Sequence, residues 1–277
     1  MATWLIILLS ILTPVCVFFT LWLFLIAPRP RKKAIKPFLC AYAHRGLWGE
    51  DVPENSLAAF EAAAASGFGI ELDVQLSADG TVMVFHDYTL DRMCSKEGML
   101  SELTAAELCN IPLNGARFPQ YIPTLRQVLK VVDGRVPLLI ELKGESGDTR
   151  LVPALLRELA DYQGAWCVES FNPLLLRAVK KQAPHAVRGL LSTNLRRDGK
   201  NGSRVLNFAL SAMLFNVLCR PAFHAWNGRY PNRLALRVGL KWFGAASFVF
   251  TVHNEDAYDR YMEQGIYPIF DGFVPRK

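Results

Sequence analysis

From Trp4 to Ala27 the chain runs for 24 residues without a charged side chain. A helix needs about 20 apolar residues to cross a bilayer. A secretory signal has a shorter apolar stretch, a basic start and a small-residue cleavage site. No Lys or Arg precedes Trp4, and the segment ends Ile26-Ala27-Pro28-Arg29. The expectation is an uncleaved single-pass anchor over residues 1–28, with a cleaved signal as the alternative. Pro14 kinks such a helix without forbidding it. Trp4 and Trp22 lie towards its ends, where interfacial aromatics collect. Residues 29–37 form a basic linker carrying Arg29, Arg31, Lys32, Lys33 and Lys36. This flank, by the positive-inside rule, puts the rest of the chain in the cytoplasm, beside anionic headgroups. Beyond Lys36, the remaining 241 residues carry 26 basic and 25 acidic side chains. The high pI therefore belongs to the flank, and no nucleic-acid partner is expected.

Residues 38–277 read as strands alternating with helices. Short apolar or period-2 runs occur at 38–43, 69–75, 81–85, 137–142, 165–169, 186–191, 247–252 and 267–270. Helical patterns lie at 56–66, 124–132, 151–162, 173–182, 207–218 and 255–264, with Asn55-Ser56 as N-cap and Gly67 as C-cap of the first. Alternation implies a mainly parallel sheet with covered faces. About eight strands in this length suit one closed α/β barrel. Residues 88–122 and 196–246 exceed a minimal barrel. In the second, Phe208, Leu210, Met213, Leu214, Phe215 and Leu218 make one wide apolar helix face, read as core. With six cysteines in 277 residues and no C-x-x-C, free thiols are expected, which suits a reducing compartment.

Glu71 and Asp73 sit inside the apolar run Gly69-Ile70-Glu71-Leu72-Asp73-Val74. Alternation along a strand puts both carboxylates on one face. Two like charges on a buried face are expensive, and a divalent cation offsets the cost. Glu141 and Lys143 repeat the spacing on another strand. Three carboxylates without a Cys or His cluster suit one oxygen-liganded cation, Mg²⁺ or Ca²⁺. The other reading, equally open, pairs the carboxylates with Lys143 and Arg45. His44 and His86 each end a predicted strand, where barrel enzymes keep their sites. Such a pair can serve as general base and general acid. Arg45 can grip a phosphate through two donors, and Lys143 can add a charge. His185, His224 and His253 are read as surface or satisfied core.

In order along the chain stand His44-Arg45-Gly46, Pro53-Glu54-Asn55-Ser56, Glu71-Leu72-Asp73, Asp79-Gly80, His86-Asp87 and Leu90-Asp91-Arg92. Ile122-Pro123-Thr124-Leu125, Glu141-Leu142-Lys143 and Ser170-Phe171 follow. This ordered set resembles the glycerophosphodiester phosphodiesterase family, over roughly residues 38–275, and looks like a membrane-anchored bacterial branch of it. The resemblance implies a (β/α)₈ TIM barrel with a small insertion after strand 2. It implies metal ligation by Glu71, Asp73 and Glu141, an acid–base pair of His44 and His86, and phosphate binding by Arg45 and Lys143. Glu54 and Asn55 would support the nearby loop. The implied reaction is hydrolysis of a glycerophosphodiester to glycerol 3-phosphate and an alcohol.

Two stretches depart from the family pattern. Phe250-Thr251-Val252-His253-Asn254 stands where the family often has W-T-V-N, so Phe250 keeps an aromatic pocket wall without an indole donor. The chain ends soon after Ile269-Phe270-Asp271-Gly272-Phe273, so the last barrel helix is short, absent or supplied by the membrane-proximal segment. Glu169 is either a further carboxylate at the site or a structural partner. The tether suggests lipid-derived substrates, either deacylated headgroup diesters or lysophospholipids in the bilayer. Alternatives are a phospholipase-D-like lyase forming a cyclic phosphate and an inactive barrel that binds lipid headgroups. A zinc hydrolase is disfavoured by the lack of H-E-x-x-H and Cys ligands.

Overall fold

The computed structural model describes residues 2–144, 147–199 and 203–276. The strands are β1 (Tyr42–Ala43), β2 (Gly69–Leu76), β3 (Val82–Val84), β4 (Leu138–Leu142), β5 (Trp166–Ser170), β6 (Arg188–Ser192), β7 (Phe223–Asn227), β8 (Ala246–Val252) and β9 (Tyr267–Phe270). All but β3 pair in parallel, in the order β1-β9-β8-β7-β6-β5-β4-β2, and β1 also pairs with β2, which closes an eight-stranded barrel. The helices are α1 (Ala2–Ile26), α2 (Leu57–Ala65), α3 (Ala105–Leu108), α4 (Leu125–Val132), α5 (Leu151–Glu158), α6 (Pro173–Gln182), α7 (Arg204–Ser211), α8 (Asn216–Cys219), α9 (Leu234–Lys241) and α10 (Glu255–Glu263).

Side-chain alternation divides the barrel into two layers. Outward residues such as Ile70, Leu72, Val74, Ile140 and Val168 pack on the helices. Inward residues Tyr42, Leu139, Cys167, Phe223 and Phe248 fill the interior, and Ile35 and Phe38 close its lower end. The upper half of the same inward face is charged, with Glu71, Asp73, Glu141 and Glu169 rising above this apolar floor. Gly189 permits the floor to close, because a Cβ there would lie 1.9 Å from the Phe223 ring.

Three expectations are corrected. The run at 81–85 is a strand, but it pairs antiparallel with β2 outside the barrel. The eighth barrel strand is β7, which lies within residues 196–246, the stretch read as exceeding a minimal barrel. Residues 207–218 do not form one helix. The chain turns at Met213, whose φ is 60°, so α7 and α8 are separate and Phe208 is exposed rather than core. The insertion after β2 has its own small core of Met83, Phe85, Leu90, Leu100, Leu108 and Ile122. At the start of α2, Ser56 Oγ accepts from Ala59 N, and Gly67 follows its end at φ 71°.

Helix α1 is apolar enough over Thr3–Ile26 to cross a membrane, with mean hydropathy 2.5. Its last turn is fastened to the barrel. Buried Asn216 donates Nδ2 to Ile26 O at 2.6 Å, and Arg220 Nη1 donates to Phe24 O and Ala27 O. These bonds satisfy carbonyls that a helix end leaves open.

Candidate active site

The site lies at the carboxyl ends of the strands. There β2 and β4 run side by side with Asp73 opposite Glu141. Carboxylate oxygens of Glu71, Asp73 and Glu141 fall within 4.8 Å of one another. Lys143 Nζ sits 2.8 Å from Asp73 and 2.9 Å from Glu141, and Arg45 Nε is 3.5 Å from Asp73. Glu71 receives the Arg45 backbone N–H at 3.0 Å, and Asn55 donates to Asp73 at 2.9 Å. Arg45 and Asn55 both stand at positive φ, 59° and 53°. That costs energy in non-glycine residues and brings the tight loop over the carboxylates.

The electrostatics are uneven. Burial pushes Glu71 well above the usual carboxylate range, and neighbouring Asp73 and Glu141 push it further. Burial likewise raises Glu169, whose Oε2 meets no hydrogen-bond donor among the described residues. Glu141 is pushed up to about 7 by burial, against the opposing pull of Lys143. Burial acts the same way on Asp73, but Lys143 and Arg45 outweigh it and hold that carboxyl well below its ordinary value. Thus four carboxylates, buried in Glu71, Asp73 and Glu169 and half-buried in Glu141, face two cations, Arg45 and Lys143. The donor set is all oxygen, closely spaced and short of positive charge, which fits a hard divalent cation.

The two histidines flank this cluster and line the same cavity of about 540 Å³. His44 Nδ1 lies 2.7 Å from Asp271, and His86 Nδ1 lies 2.5 Å from Asp87. A carboxylate can only accept, so each Nδ1 carries a proton and each Nε2 is left to exchange one. Burial lowers both imidazole pKa values, despite Asp271 beside His44 and Asp73 beside His86. The supporting partners form a chain. Arg92 donates to Asp87 and to Glu54, and Glu54 in turn accepts from Arg45. Gln75 holds the His86–Asp87 segment by donating to Phe85 O and Asp87 O. Phe250 forms a wall of the cavity, edge-on to Phe171 at 5.9 Å.

All eight residues singled out from sequence therefore converge on one cavity or its floor. Sequence reasoning did not assign Asp87, Arg92 or Asp271 a place here. It also set aside His253, whose Nδ1 shares Asp271 with His44, at 2.5 Å. The signal was present for Asp87 and Arg92, which lie inside the H-D and L-D-R motifs. Asp271 and His253 lie in the two stretches that depart from the family pattern, and nothing local signals their partnership with His44, which joins opposite ends of the chain.

Known proteins give this geometry a lineage. Residues 44–274 match the glycerophosphoryl diester phosphodiesterase family. A glycerophosphodiester phosphodiesterase of Caldanaerobacter subterraneus subsp. tengcongensis is 32% identical over 244 residues, covering 84% of this chain and 91% of its own. Among solved structures, an Oleispira antarctica phosphodiesterase in complex with the product sn-glycerol-3-phosphate superposes with a TM-score of 0.68, at 24% identity over 84% of this chain and 92% of that one. A glycerophosphodiester phosphodiesterase of Thermotoga maritima gives 0.63 at 25% identity, covering 84% and 94%. The chain belongs to the glycerophosphoryl diester phosphodiesterase family and is a phosphoric diester hydrolase.

Proposed function

We propose that this protein hydrolyses glycerophosphodiesters at a membrane surface in a metal-dependent reaction, with His44 and His86 as the acid–base pair. The observation that carries this reading is the placement of two carboxylate-oriented imidazoles across one cavity from a buried carboxylate cluster. Glu71, Asp73 and Glu141 would hold one divalent cation, Mg²⁺ or Ca²⁺. Bound there, it would offset charge developing on a phosphoryl oxygen.

The chain's own groups do the rest. Arg45 and Lys143 draw the phosphodiester to the charged end of the barrel. One imidazole Nε2 takes the proton of the attacking water as its oxygen bonds to phosphorus. The other gives a proton to the departing alcohol oxygen as the P–O bond breaks, leaving glycerol 3-phosphate and an alcohol. A bound phosphodiester raises the basicity of both rings, which burial and the nearby cations Arg45 and Lys143 have lowered. Asp271 and Asp87 keep each ring in the required tautomer, as carboxylates do for histidines elsewhere.

Helix α1 would span the cell membrane, with the barrel on the cytoplasmic side by the positive-inside rule. Its substrates would then be lipid-derived diesters, deacylated or still carrying one acyl chain. The full-length protein in detergent, given glycerophosphocholine with Mg²⁺, Ca²⁺ or EDTA, tests the chemistry. Cation-dependent glycerol 3-phosphate is the expected product. A cyclic phosphate would replace hydrolysis by internal hydroxyl attack, and activity undiminished by EDTA would remove the cation. Protease digestion of sealed vesicles of known orientation tests the topology.

A further inference from the structure

Beside the catalytic cavity lies a second one of about 470 Å³, lined by His86, Glu141 and Lys143 at one end. Away from these three, apolar side chains predominate, with Ser170, Ser192, Thr193 and Asn207 set between them. Phe171, Leu190 and Leu195 form its floor, and Leu210, Met213 and Phe215 of the α7–α8 segment form its roof. A smaller apolar hollow of about 290 Å³ shares Phe171, Leu210 and Phe215 with it. That hollow reaches Leu174 and Leu206, which are 39% and 47% exposed. A greasy passage thus runs from the acid–base and phosphate-binding side chains, under α7, to the surface. Nothing in the hydrolysis of a deacylated, fully polar glycerophosphodiester calls for a run of aliphatic side chains, which gain little from a glycerol group.

The outer face of α7 indicates where the occupant comes from. Val205 and Phe208 are 77% and 56% exposed. Phe208 and Leu234 line a hollow together with Trp22, near the carboxyl end of α1. Arg196 and Arg197 lie in the same hollow, where they can meet lipid phosphates. The helix that roofs the passage is therefore the helix beside the stem of the apolar α1, with its own bulky apolar side chains turned outward. Such a patch on a soluble face would be a liability, and beside a membrane stem it is a contact with lipid.

Resting on the function proposed above, we propose that this passage is an acyl-chain subsite: it takes the single fatty chain of a lysophospholipid, threaded under α7 from the bilayer, while its phosphodiester sits between His86 and Lys143. Water attacks phosphorus, the bond to the headgroup oxygen breaks, the headgroup leaves with a proton from the general acid, and an acylglycerol phosphate remains.

The test uses full-length protein in detergent and a series of 1-acyl lysophosphatidylcholines from six to sixteen carbons, with glycerophosphocholine as the chain-free diester and choline release as the readout. A Leu210→Trp variant fills the passage from its roof. For the wild type, kcat/KM should rise with chain length by up to roughly fourfold per methylene until the passage is full. Partition into detergent raises the local concentration of long-chain substrates equally for both proteins, so only the difference between their slopes reports the subsite. The expected result is a steep slope for the wild type and a flattened one for the variant. A Phe215→Trp variant blocks the same roof from α8's side and should flatten the slope too. Equal slopes in wild type and both folded variants, or glycerophosphocholine preferred over every lysolipid, would overturn the subsite and leave the hydrolase standing. Failure on glycerophosphocholine and lysolipids alike would remove the reading on which the subsite rests.

Discussion

The mouth of this barrel has two unlike halves. On the side of β1, β2 and β4 the inward side chains near the top are polar and mostly charged, and they pair: Lys143 with Asp73 and Glu141, Arg45 with Glu54, and Asp87 with His86. On the side of β6 and α7 the wall is mainly Leu190, Leu191, Leu210 and Met213, with Ser192, Thr193 and Asn207 between them. A phosphodiester gives the first half its purpose, since charge must be placed within a few ångströms of a reacting phosphorus. The second half contacts only what hangs from that phosphorus. Chemistry and substrate choice are thus assigned to different strands, so substitutions on one side should change kcat and those on the other should change preference.

The largest effect expected is on the ionic side. His86→Ala should lower kcat on glycerophosphocholine by about 10²–10⁴-fold, the usual range for losing a positioned acid or base. The side chain is 32% exposed, so the melting temperature should stay close to that of the wild type. A variant that keeps its kcat would move the acid–base work to other groups, and one that loses its fold would make His86 structural.

A smaller effect should follow from cation binding to the carboxylates. A ligand at a hundredfold its Kd stabilises the native state by about 2.7 kcal/mol. For a barrel of this size that is a rise in Tm of about 5–10 °C on adding Mg²⁺ or Ca²⁺ to EDTA-treated protein. Glu71→Gln should abolish the rise. It should not lower the Tm of the cation-free protein, because it removes a carboxyl that burial and its neighbours already disfavour. A cation response retained in Glu71→Gln would separate the carboxylate cluster from the metal.

The two halves also differ in how far they could be read from the chain. The ionic side was legible because its residues sit in short ordered motifs and share strands: Glu71 with Asp73, Glu141 with Lys143. Helix α6 was equally plain, since Asn172 caps it and Pro173 occupies its first turn. The far side was not. Strand β7 reads Phe223-His224-Ala225-Trp226-Asn227, and a His and a Trp on the outward face disguise a buried strand. Helix α9 carries Gly239 in its middle, a poor helix residue. Asp271 and His253 became visible only once β9 lay beside β1 and β8. Local pattern announces groups that act through their own neighbours, and it is silent about pairs that tertiary closure creates.

Strand β7 offers a pH test of that hidden side. His224 is fully buried, neither ring nitrogen has a hydrogen-bond partner among the described residues, and burial lowers its pKa to about 3. In the unfolded chain the value is about 6.5. As pH falls below that value the unfolded state takes up a proton that the native state refuses, so stability drops until the pH nears 3. Between pH 7 and pH 5 this group alone should cost about 1–2 kcal/mol. His224→Leu should remove that share, so its Tm relative to wild type should gain about 2–8 °C on going from pH 7 to pH 5. A constant difference between the two proteins at both pH values would show that the ring finds a partner in solution.

The smallest effect expected should change sign with its background. A Cβ at Gly239 would lie 3.1 Å from Nε2 and 3.3 Å from Cδ2 of His224. Alanine favours the helix by up to about 1 kcal/mol over glycine, while crowding a packed interface costs about 1–3 kcal/mol. With His224 in place and fully enclosed, crowding should win, and Gly239→Ala should destabilise by about 1 kcal/mol. In a His224→Val background the ring is gone, the added methyl fills part of the space, and the same substitution should stabilise by a similar amount. Thermal melts of the four proteins give the coupling. Opposite signs in the two backgrounds would mean that Gly239 stands in α9 to admit the His224 ring. The same sign in both would mean that the helix yields to the ring, and the glycine would then need another reason.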